Sequence, residues 1–269
     1  MKRVMIILFV LLLLAGCTVH TTESRVLELY AFSVGKADAL LVRAANAAIM
    51  IDTGENGDGD RLLAELKSLG VEKLDLLILT HFDKDHIGGA DTIIGSLPID
   101  RIFLPSYEKD SKQYGELLAA LSGTEAEVAY LSEDVSLQFG EMDLDVWVSP
   151  VPFDGKSDNE QSLITRVKYD GKTYLFMGDA EDAELEKLVS GTKNLTCDVL
   201  KLPHHGVYDE RTPILMAVTM PSYVIICDSE KNPAEETTLE TIGILGPVIL
   251  QTKNGTVHMT VSNGVFQTE

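Results

Sequence analysis

Four side chains of the types that bind divalent metal ions fall within six consecutive residues. They are His81, Asp83, Asp85 and His86. Imidazole nitrogens and carboxylate oxygens at this spacing can surround an ion, and a bound ion can activate water for hydrolysis. Two glycines follow directly, Gly88 and Gly89, and they allow the backbone to pass close to such a site. The segment therefore predicts a metal centre with hydrolytic chemistry.

The ligand-rich segment begins where an apolar run stops. Leu74 to Leu79 is a short, continuous apolar stretch of the kind expected for a strand buried on both faces. A rigid strand can hold the loop that follows it in one position. Earlier strand patterns lie at 26–32, 38–43 and 47–51, and an amphipathic helix pattern lies at 61–69.

Strands and helices alternate along the rest of the chain. Further helices are predicted at 85–94, 111–121, 180–189, 212–219 and 237–245. Further strands are predicted at 101–104, within 127–150, and at 162–169, 173–177, 198–201, 223–227 and 248–261. Because no Pro/Gly-rich or low-complexity linker separates the two halves, the pattern favours one α/β domain over residues 26–269.

The N-terminus has the layout of a secretory signal. Lys2 and Arg3 precede an apolar run at 4–14 that is short for a membrane span. The following Leu14-Ala15-Gly16-Cys17 resembles the lipobox that bacteria cleave before a cysteine that becomes lipid-modified. This implies a signal peptide at 1–16, a tether at 17–25 and a protein held on the extracytoplasmic face of the cell membrane by its lipid alone. The alternative is an uncleaved anchor, which also places the chain outside the cytoplasm.

Charge and cysteine content narrow the possible partners. The formal charge is −20, and removal of Lys2 and Arg3 with the signal would leave about −22. Such a surface does not attract a polyanion at long range, although bound metal ions invert the field locally, so a nucleic-acid substrate stays possible. Cys197 and Cys227 lie in apolar runs, which favours buried thiols over a disulfide.

Five motifs, in order, resemble the metallo-β-lactamase superfamily, whose signature is HxHxDH, and within it the metallohydrolase domain of the competence DNA-uptake protein ComEC. Besides His81–His86, the matching segments are Ser33–Ala39, Ile49–Gly54, Met177–Asp179 and Leu202–Gly206. In the family these read VGQGDA, LIDTG, TGD and HHG. The resemblance implies a four-layer αββα sandwich, in which two mixed β-sheets are flanked by helices.

The resemblance also implies two divalent metal ions, Zn²⁺ or Mn²⁺, that share an activated water. One site would comprise Asp85, His86, Asp179 and a histidine of the HHG motif. His204 is preferred as that histidine and His205 is the alternative; the other one would donate a proton or orient ligands. The other site would comprise His81, Asp83 and Asp179, with Asn159 nearby. Catalytic roles fall to Asp85, to His205 and to Asp52, which would hydrogen-bond the ligand loop.

Two departures from the family signature change the ligands of the site that would comprise His81, Asp83 and Asp179. Asp83 stands where the signature has its second histidine, and Asp158–Ser162 stands where many members place a third. Carboxylate in place of imidazole favours oxygen-preferring ions, which makes Mn²⁺ a competitor of Zn²⁺.

The predicted function is metal-dependent phosphodiester hydrolysis outside the membrane, of nuclease or phosphodiesterase type. The substrate would be a small or polymeric phosphodiester such as DNA, a nucleotide or a cell-wall polymer. One alternative is hydrolysis of a lactam, lactone or other acyl bond, against which the missing third histidine counts. Another is a non-catalytic lipoprotein whose metal site serves stability alone.

Overall fold

The computed structural model describes residues 26–45 and 47–268. The predicted signal peptide (1–16) and the tether (17–25), with its lipidation site Cys17, lie outside the described residues. Among the helices that the structure describes, none combines the length and apolar character needed to cross a bilayer.

Two mixed β-sheets form the centre of the described chain. The first contains β1 (Val26–Ala31), β2 (Leu40–Ala44), β3 (Ala47–Ile51), β4 (Leu76–Ile78), β5 (Arg101–Pro105), β6 (Glu127–Leu131), β14 (Val257–Ser262) and β15 (Val265–Thr268), in the spatial order β15-β14-β1-β2-β3-β4-β5-β6. The second contains β7 (Val135–Phe139), β8 (Met142–Trp147), β9 (Ile164–Tyr169), β10 (Lys172–Phe176), β11 (Val199–Lys201), β12 (Tyr223–Ile226) and β13 (Val248–Gln251), in the order β13-β12-β11-β10-β9-β8-β7.

Helices cover the outer face of each sheet. They are α1 (Gly59–Ser68), α2 (Lys84–Ile87), α3 (Ala90–Ser96), α4 (Lys112–Leu121), α5 (Asp182–Ser190), α6 (Thr212–Thr219) and α7 (Glu236–Gly243). The residues of α1 to α4 pack with the first sheet, those of α5 to α7 pack with the second, and a third apolar cluster fills the space between the sheets. The predicted arrangement of two mixed sheets flanked by helices is confirmed.

Apolar patterning explains which face each strand buries. In β1, Leu27 and Leu29 point into the cluster between the sheets, whereas Tyr30 lies on the opposite face. In β4, Leu76 and Ile78 pack between the sheets while Leu77 packs against the helices. The strand before the ligand segment is therefore buried on both faces, as its continuous apolar run predicted.

The helix predicted over 85–94 is two helices, α2 and α3, separated at Gly88–Gly89. The Gly88 amide donates to the carbonyl of Gly54 at 2.9 Å, which brings this turn against the loop that follows β3. A Cβ at Gly88 would lie 2.2 Å from the amide nitrogen of Asn56, so a side chain at this position would collide with backbone. The close approach of the two loops breaks the helix that the sequence pattern alone suggested.

Candidate metal centre

The predicted ligands lie where parallel strands of both sheets end. In the first sheet β3, β4 and β5 run parallel, so the loops after Ile51, Ile78 and Pro105 leave the same edge. In the second sheet β10, β11 and β12 run parallel and their carboxyl ends likewise share one edge. Ligand sites in open α/β sheets form outside the carboxyl ends of strands. Each sheet therefore contributes its own loops to one centre.

Four side chains from these loops form a tight cluster. They are Asp85, His86, Asp179 and His205, whose ligand atoms lie within 4.8 Å of one another. His86 Nε2 and His205 Nε2 approach Asp179 Oδ2 at 3.2 and 3.1 Å, and His205 Nε2 lies 3.6 Å from Asp85 Oδ2. Ligand atoms about 2.0–2.2 Å from a tetrahedral ion are roughly 3.3–3.6 Å apart. The spacing in the cluster therefore fits a single divalent ion.

The donor atoms of this cluster are buried without a hydrogen-bond partner of acceptable geometry. These atoms include Nε2 of His86, Nε2 of His205 and Oδ1 of Asp179. Buried polar atoms are satisfied in nearly all native structures, so a group of them aimed at one point calls for a further ligand. The donor set is thus consistent with a metal ion, which would supply the missing partner to all of them.

A second candidate cluster lies behind His86 and consists of Asp38, Asp52 and His86. Asp52 Oδ2 lies 2.7 Å from His86 Nδ1. Its two oxygens also accept from the Thr80 amide at 2.8 Å and the Thr80 hydroxyl at 2.7 Å. Two candidate clusters within one centre suggest the use of two metal ions. In the second cluster His86 Nδ1 is paired with Asp52, and Asp38 is paired with Lys201, so its atoms are held by protein partners in this structure. Asp52 is hydrogen-bonded to the ligand loop through Thr80 and His86.

A buried lysine that sequence reasoning missed lies beneath the cluster. Lys201 is fully buried, contacts the carboxylate of Asp38 and donates to the Gly178 carbonyl at 2.8 Å. Burial alone lowers the pKa of this lysine, but the charges of Asp38 and Asp179 outweigh it and raise the pKa above the usual value. The ammonium therefore stays charged and anchors Asp38 below the metal centre. The sequence signal that could have led to Lys201 is its partner Asp38, which lies in the VGKADA segment.

The two histidines of the HHG motif occupy different places. His205 is 2% exposed and joins the cluster, and its Nδ1 contacts the carbonyl oxygen of Cys227 at 2.9 Å. His204 is outside the cluster, with Nδ1 2.8 Å from Glu181 Oε2. Its Nε2 lies 3.5 Å from the amide nitrogen of Asn159. The geometry therefore favours His205 as the ligand, contrary to the preference for His204, because the ring of His205 faces Asp179 whereas that of His204 faces Glu181.

The two histidines have left-handed backbone conformations, with φ values of 49° for His204 and 53° for His205. Asp52, next to the ligand loop, is also left-handed, with a φ of 58°. Non-glycine residues in this region cost of the order of 1–3 kcal/mol each and concentrate at functional sites. No sequence pattern distinguishes the two adjacent histidines, because the choice depends on these dihedral angles.

Asp83 lies apart from the four-residue cluster. Its side chain is 36% exposed and contacts the ammonium of Lys109, and Oδ2 lies 3.8 Å from His81 Nε2. Lys109 also contacts Asp158, the residue at the start of the segment that replaces the third histidine. His81 itself is fully buried. Lys109 carried no motif signal, since it lies in the loop between β5 and α4.

The proximity of charges perturbs the protonation of the cluster. Burial by itself raises the pKa of Asp85, but contact with His205 and the charge of His86 outweigh it and hold the pKa well below its usual value. Burial lowers the pKa of His205, but Asp179 and Asp85 more than compensate and raise it to about 9. Burial also lowers the pKa of His81, and the charge of His86 lowers it further. A cation is thus favoured among the carboxylates.

The two cysteines among the described residues do not form a disulfide bridge. Cys197 and Cys227 are both free and buried. Burial raises the pKa of the Cys197 thiol to about 12. Neither thiol is a reactive nucleophile under these conditions, as their apolar sequence context indicated.

Comparison with known proteins places this geometry in context. A family model described as the metallo-beta-lactamase superfamily matches residues 33–227. ComE operon protein 3 of Bacillus subtilis is 24% identical over 260 residues, which cover 88% of this chain and 33% of that protein. Competence protein ComA of Neisseria gonorrhoeae is 26% identical over 234 residues, which cover 84% of this chain and 31% of that protein. The chain thus spans about one third of the length of these two relatives.

Among solved structures, the metallo-beta-lactamase fold protein YhfI from Bacillus subtilis superposes with a TM-score of 0.58 at 12% sequence identity. The superposition covers 91% of this chain and 100% of that chain. At this level of identity the likeness concerns the fold alone.

Proposed function

The chain belongs to the metallo-β-lactamase superfamily, and on that basis we propose that it is a metal-dependent hydrolase of phosphodiester bonds. The observation that carries the proposal is the cluster of Asp85, His86, Asp179 and His205, whose buried donor atoms lack hydrogen-bond partners. The family together with these candidate ligands supports a metal-dependent hydrolase. The phosphodiester preference is the further step.

Three features favour a phosphodiester over an acyl substrate. Two of the four clustered donors, Asp85 and Asp179, are carboxylates, and Asp83 and the segment Asp158–Ser162 stand where many family members carry further histidines. Such a donor set suits Mn²⁺ or a similar oxygen-preferring ion as well as Zn²⁺. Lys109 adds a positive charge beside Asp83, and it lines a groove of about 1060 Å³ together with the exposed Tyr130 and with Glu108 and Asp110. A cation at the edge of an open groove gives the phosphate of an extended substrate a point of contact.

When bound, the metal would polarise the phosphoryl oxygen and lower the pKa of a water, which supplies the nucleophile at neutral pH. Asp85, His86, Asp179 and His205 would hold it. Asp52 accepts a hydrogen bond from His86 Nδ1 and so leaves Nε2 unprotonated and aimed at the centre. The Cys227 carbonyl fixes His205 in the same manner through Nδ1.

We propose that His204 protonates the leaving oxygen. Glu181 holds its Nδ1 at 2.8 Å, so Nε2 is the atom left to carry the transferable proton. The ring is about one quarter exposed, with 24% of its side-chain surface accessible, and can meet a substrate directly. This gives His204 the proton-donor role that the sequence left to whichever histidine was not a ligand.

Hydrolysis of bis(p-nitrophenyl) phosphate by the purified full-length chain, loaded with Mn²⁺ or Zn²⁺, tests the proposal. Asp179→Asn should reduce turnover by roughly a hundredfold or more, because metal-based charge stabilisation is worth several kcal/mol. Asp198→Asn is the matched control, since Asp198 lies at the opposite end of β11 and accepts from the Thr173 amide at 2.9 Å. Absence of turnover in the wild type with either ion, or turnover of nitrocefin instead, would contradict the phosphodiester proposal.

We further propose that the chain acts outside the cytoplasm, attached through lipid on Cys17. The support is the lipobox-like sequence ending at that cysteine. Membrane fractionation of wild-type and Cys17→Ser protein tests this. Equal recovery of both in the membrane fraction would argue against lipid attachment.

A further inference from the structure

Lys109 bridges two carboxylates that come from different sheets. It lies in the loop between β5 and α4, and its ammonium contacts Asp83 after β4 and Asp158 before β9. The lysine side chain is 25% exposed, and that of Asp158 is 14% exposed. The ammonium is thus held between two carboxylates.

These two carboxylates are accompanied by a third donor without a partner. His81 is fully buried, and its Nε2 has no hydrogen-bond partner although Asp83 Oδ2 lies 3.8 Å away. His81 and Asp83 belong to the ligand set that the resemblance implies for the other ion, with Asp179 and with Asn159 nearby, and Asp158 lies on the far side of the Lys109 ammonium from Asp83. The His81 ring lies against the His86 ring, tilted by 50° with centroids 4.0 Å apart, so the position adjoins that cluster.

The donor set does not fit a metal ion as long as Lys109 is in place. A cation at this position needs the oxygens of Asp83 and Asp158, and the ammonium already contacts both residues. A divalent ion would have to displace the lysine or tolerate a like charge at contact distance. Lysine is compact and strongly charged, which suits it to fill the place of an ion between two carboxylates.

We propose that the Lys109 ammonium takes the place of a metal ion at the position formed by His81, Asp83 and Asp158. The lysine offsets one of the two carboxylate charges and holds a fixed ammonium charge next to the cluster of Asp85, His86, Asp179 and His205. That charge can pair with a non-bridging oxygen of a phosphodiester. The inference rests on the proposed metal centre and does not depend on which bond the protein hydrolyses.

The test is metal content after removal of the charge. Lys109→Met keeps most of the stem and removes the ammonium, while Lys109→Arg keeps the positive charge. Lys112→Met is the matched control, because Lys112 lies in the same region of the chain, is 72% exposed and pairs with Glu116. Each full-length protein is loaded with Mn²⁺, freed of excess ion by gel filtration, and analysed for manganese per chain and by electron paramagnetic resonance.

Lys109→Met should bind one more Mn²⁺ per chain than the wild type and show the spectrum of an exchange-coupled pair. Lys109→Arg and Lys112→Met should match the wild type. Asp83→Asn should leave the metal content of the wild type unchanged and abolish the additional ion in the Lys109→Met background. If Lys109→Met folds poorly, Asp83→Asn alone still tests the inference, because it retains the lysine and should keep the metal content of the wild type.

Two results would overturn the inference. One is equal manganese content in folded Lys109→Met and wild-type protein, and the other is loss of an ion from Asp83→Asn alone. Phosphodiester hydrolysis without an additional ion in Lys109→Met would refute the role of the lysine and leave the proposed function intact. An additional ion in Lys109→Met, together with no phosphodiester hydrolysis in any variant, would support the role of the lysine and contradict the proposed function.

Discussion

Replacement of Asp52 by asparagine should weaken metal binding although Asp52 is not among the four clustered ligands. Asp52 Oδ2 lies 2.7 Å from His86 Nδ1, and both oxygens accept hydrogen bonds from Thr80. In Asp52→Asn the oxygen can still accept from the Thr80 amide, which places the NH₂ group opposite His86. An NH₂ group donates and cannot accept a hydrogen bond, so Nδ1 becomes the acceptor and Nε2, the atom facing the centre, becomes protonated.

The expected loss follows from this tautomer change. Partners of ligating histidines are worth 10–100-fold in metal affinity, which is about 1.4–2.7 kcal/mol. We therefore expect the dissociation constant for Zn²⁺ to rise by about one to two orders of magnitude. Competition with a chromophoric chelator at pH 7.5 measures it directly.

A matched control separates this effect from general damage. Asp198→Asn alters a carboxylate that also accepts a backbone amide, but at the other end of the second sheet. It should leave zinc affinity unchanged. Equal affinity of Asp52→Asn and wild type, with both proteins folded by circular dichroism, would refute the assignment of Asp52 to the orientation of His86.

Further predictions concern the remaining groups. In His205→Ala the metal affinity should fall by more than the tenfold to hundredfold expected for Asp52→Asn. His204→Ala should keep its metal and lose turnover. Elemental analysis together with the phosphodiesterase assay distinguishes the two variants. Because the pKa of His205 is raised to about 9 and ligation needs the neutral ring, apparent zinc affinity should rise with pH up to about 9 with proton release; calorimetry in two buffers measures it, and a pH-independent affinity would contradict it. Burial raises the pKa of Glu184 well above its usual value, so its folded form is protonated and stability is lost as pH rises above the unfolded pKa; Glu184→Gln should melt higher than wild type at pH 8 and equally at pH 4. Gly88→Ala should destabilise the protein by about 1–3 kcal/mol through overpacking, while Gly95→Ala, where a Cβ meets nothing within 4 Å, should be neutral or stabilising in thermal melts.

The ligand loop could be located from sequence because two local signals coincide there. A continuous apolar run ends at Leu79, and four donor residues and two glycines follow within ten residues. The strand is buried on both faces and Gly88 packs against backbone, so both signals had the physical cause that the sequence suggested. Layered architecture likewise follows from apolar periodicity, which fixes the buried face of each element.

Contacts between distant segments could not be read from the sequence. Lys109 reaches Asp83 and Asp158 across two loops, and Lys201 reaches Asp38 across the whole first half of the chain. A lysine in a loop is usually solvated, so nothing in its own neighbourhood marks it. The choice between His204 and His205 was hidden for a different reason, since it depends on backbone dihedral angles rather than on residue type.

Two ligands of the four-residue cluster follow the first sheet and two follow the second, and this division has a consequence for endurance. An ion held there would crosslink the loops of the two sheets, and the crosslink would be lost when the ion dissociates. Its contribution to the free energy of unfolding would follow free metal concentration, reaching about 2.7 kcal/mol at a hundred times the dissociation constant. A low concentration of free metal would then lower both the hydrolytic activity and the fraction of folded protein. The supply of the metal would therefore also set how much of the protein persists in its folded form.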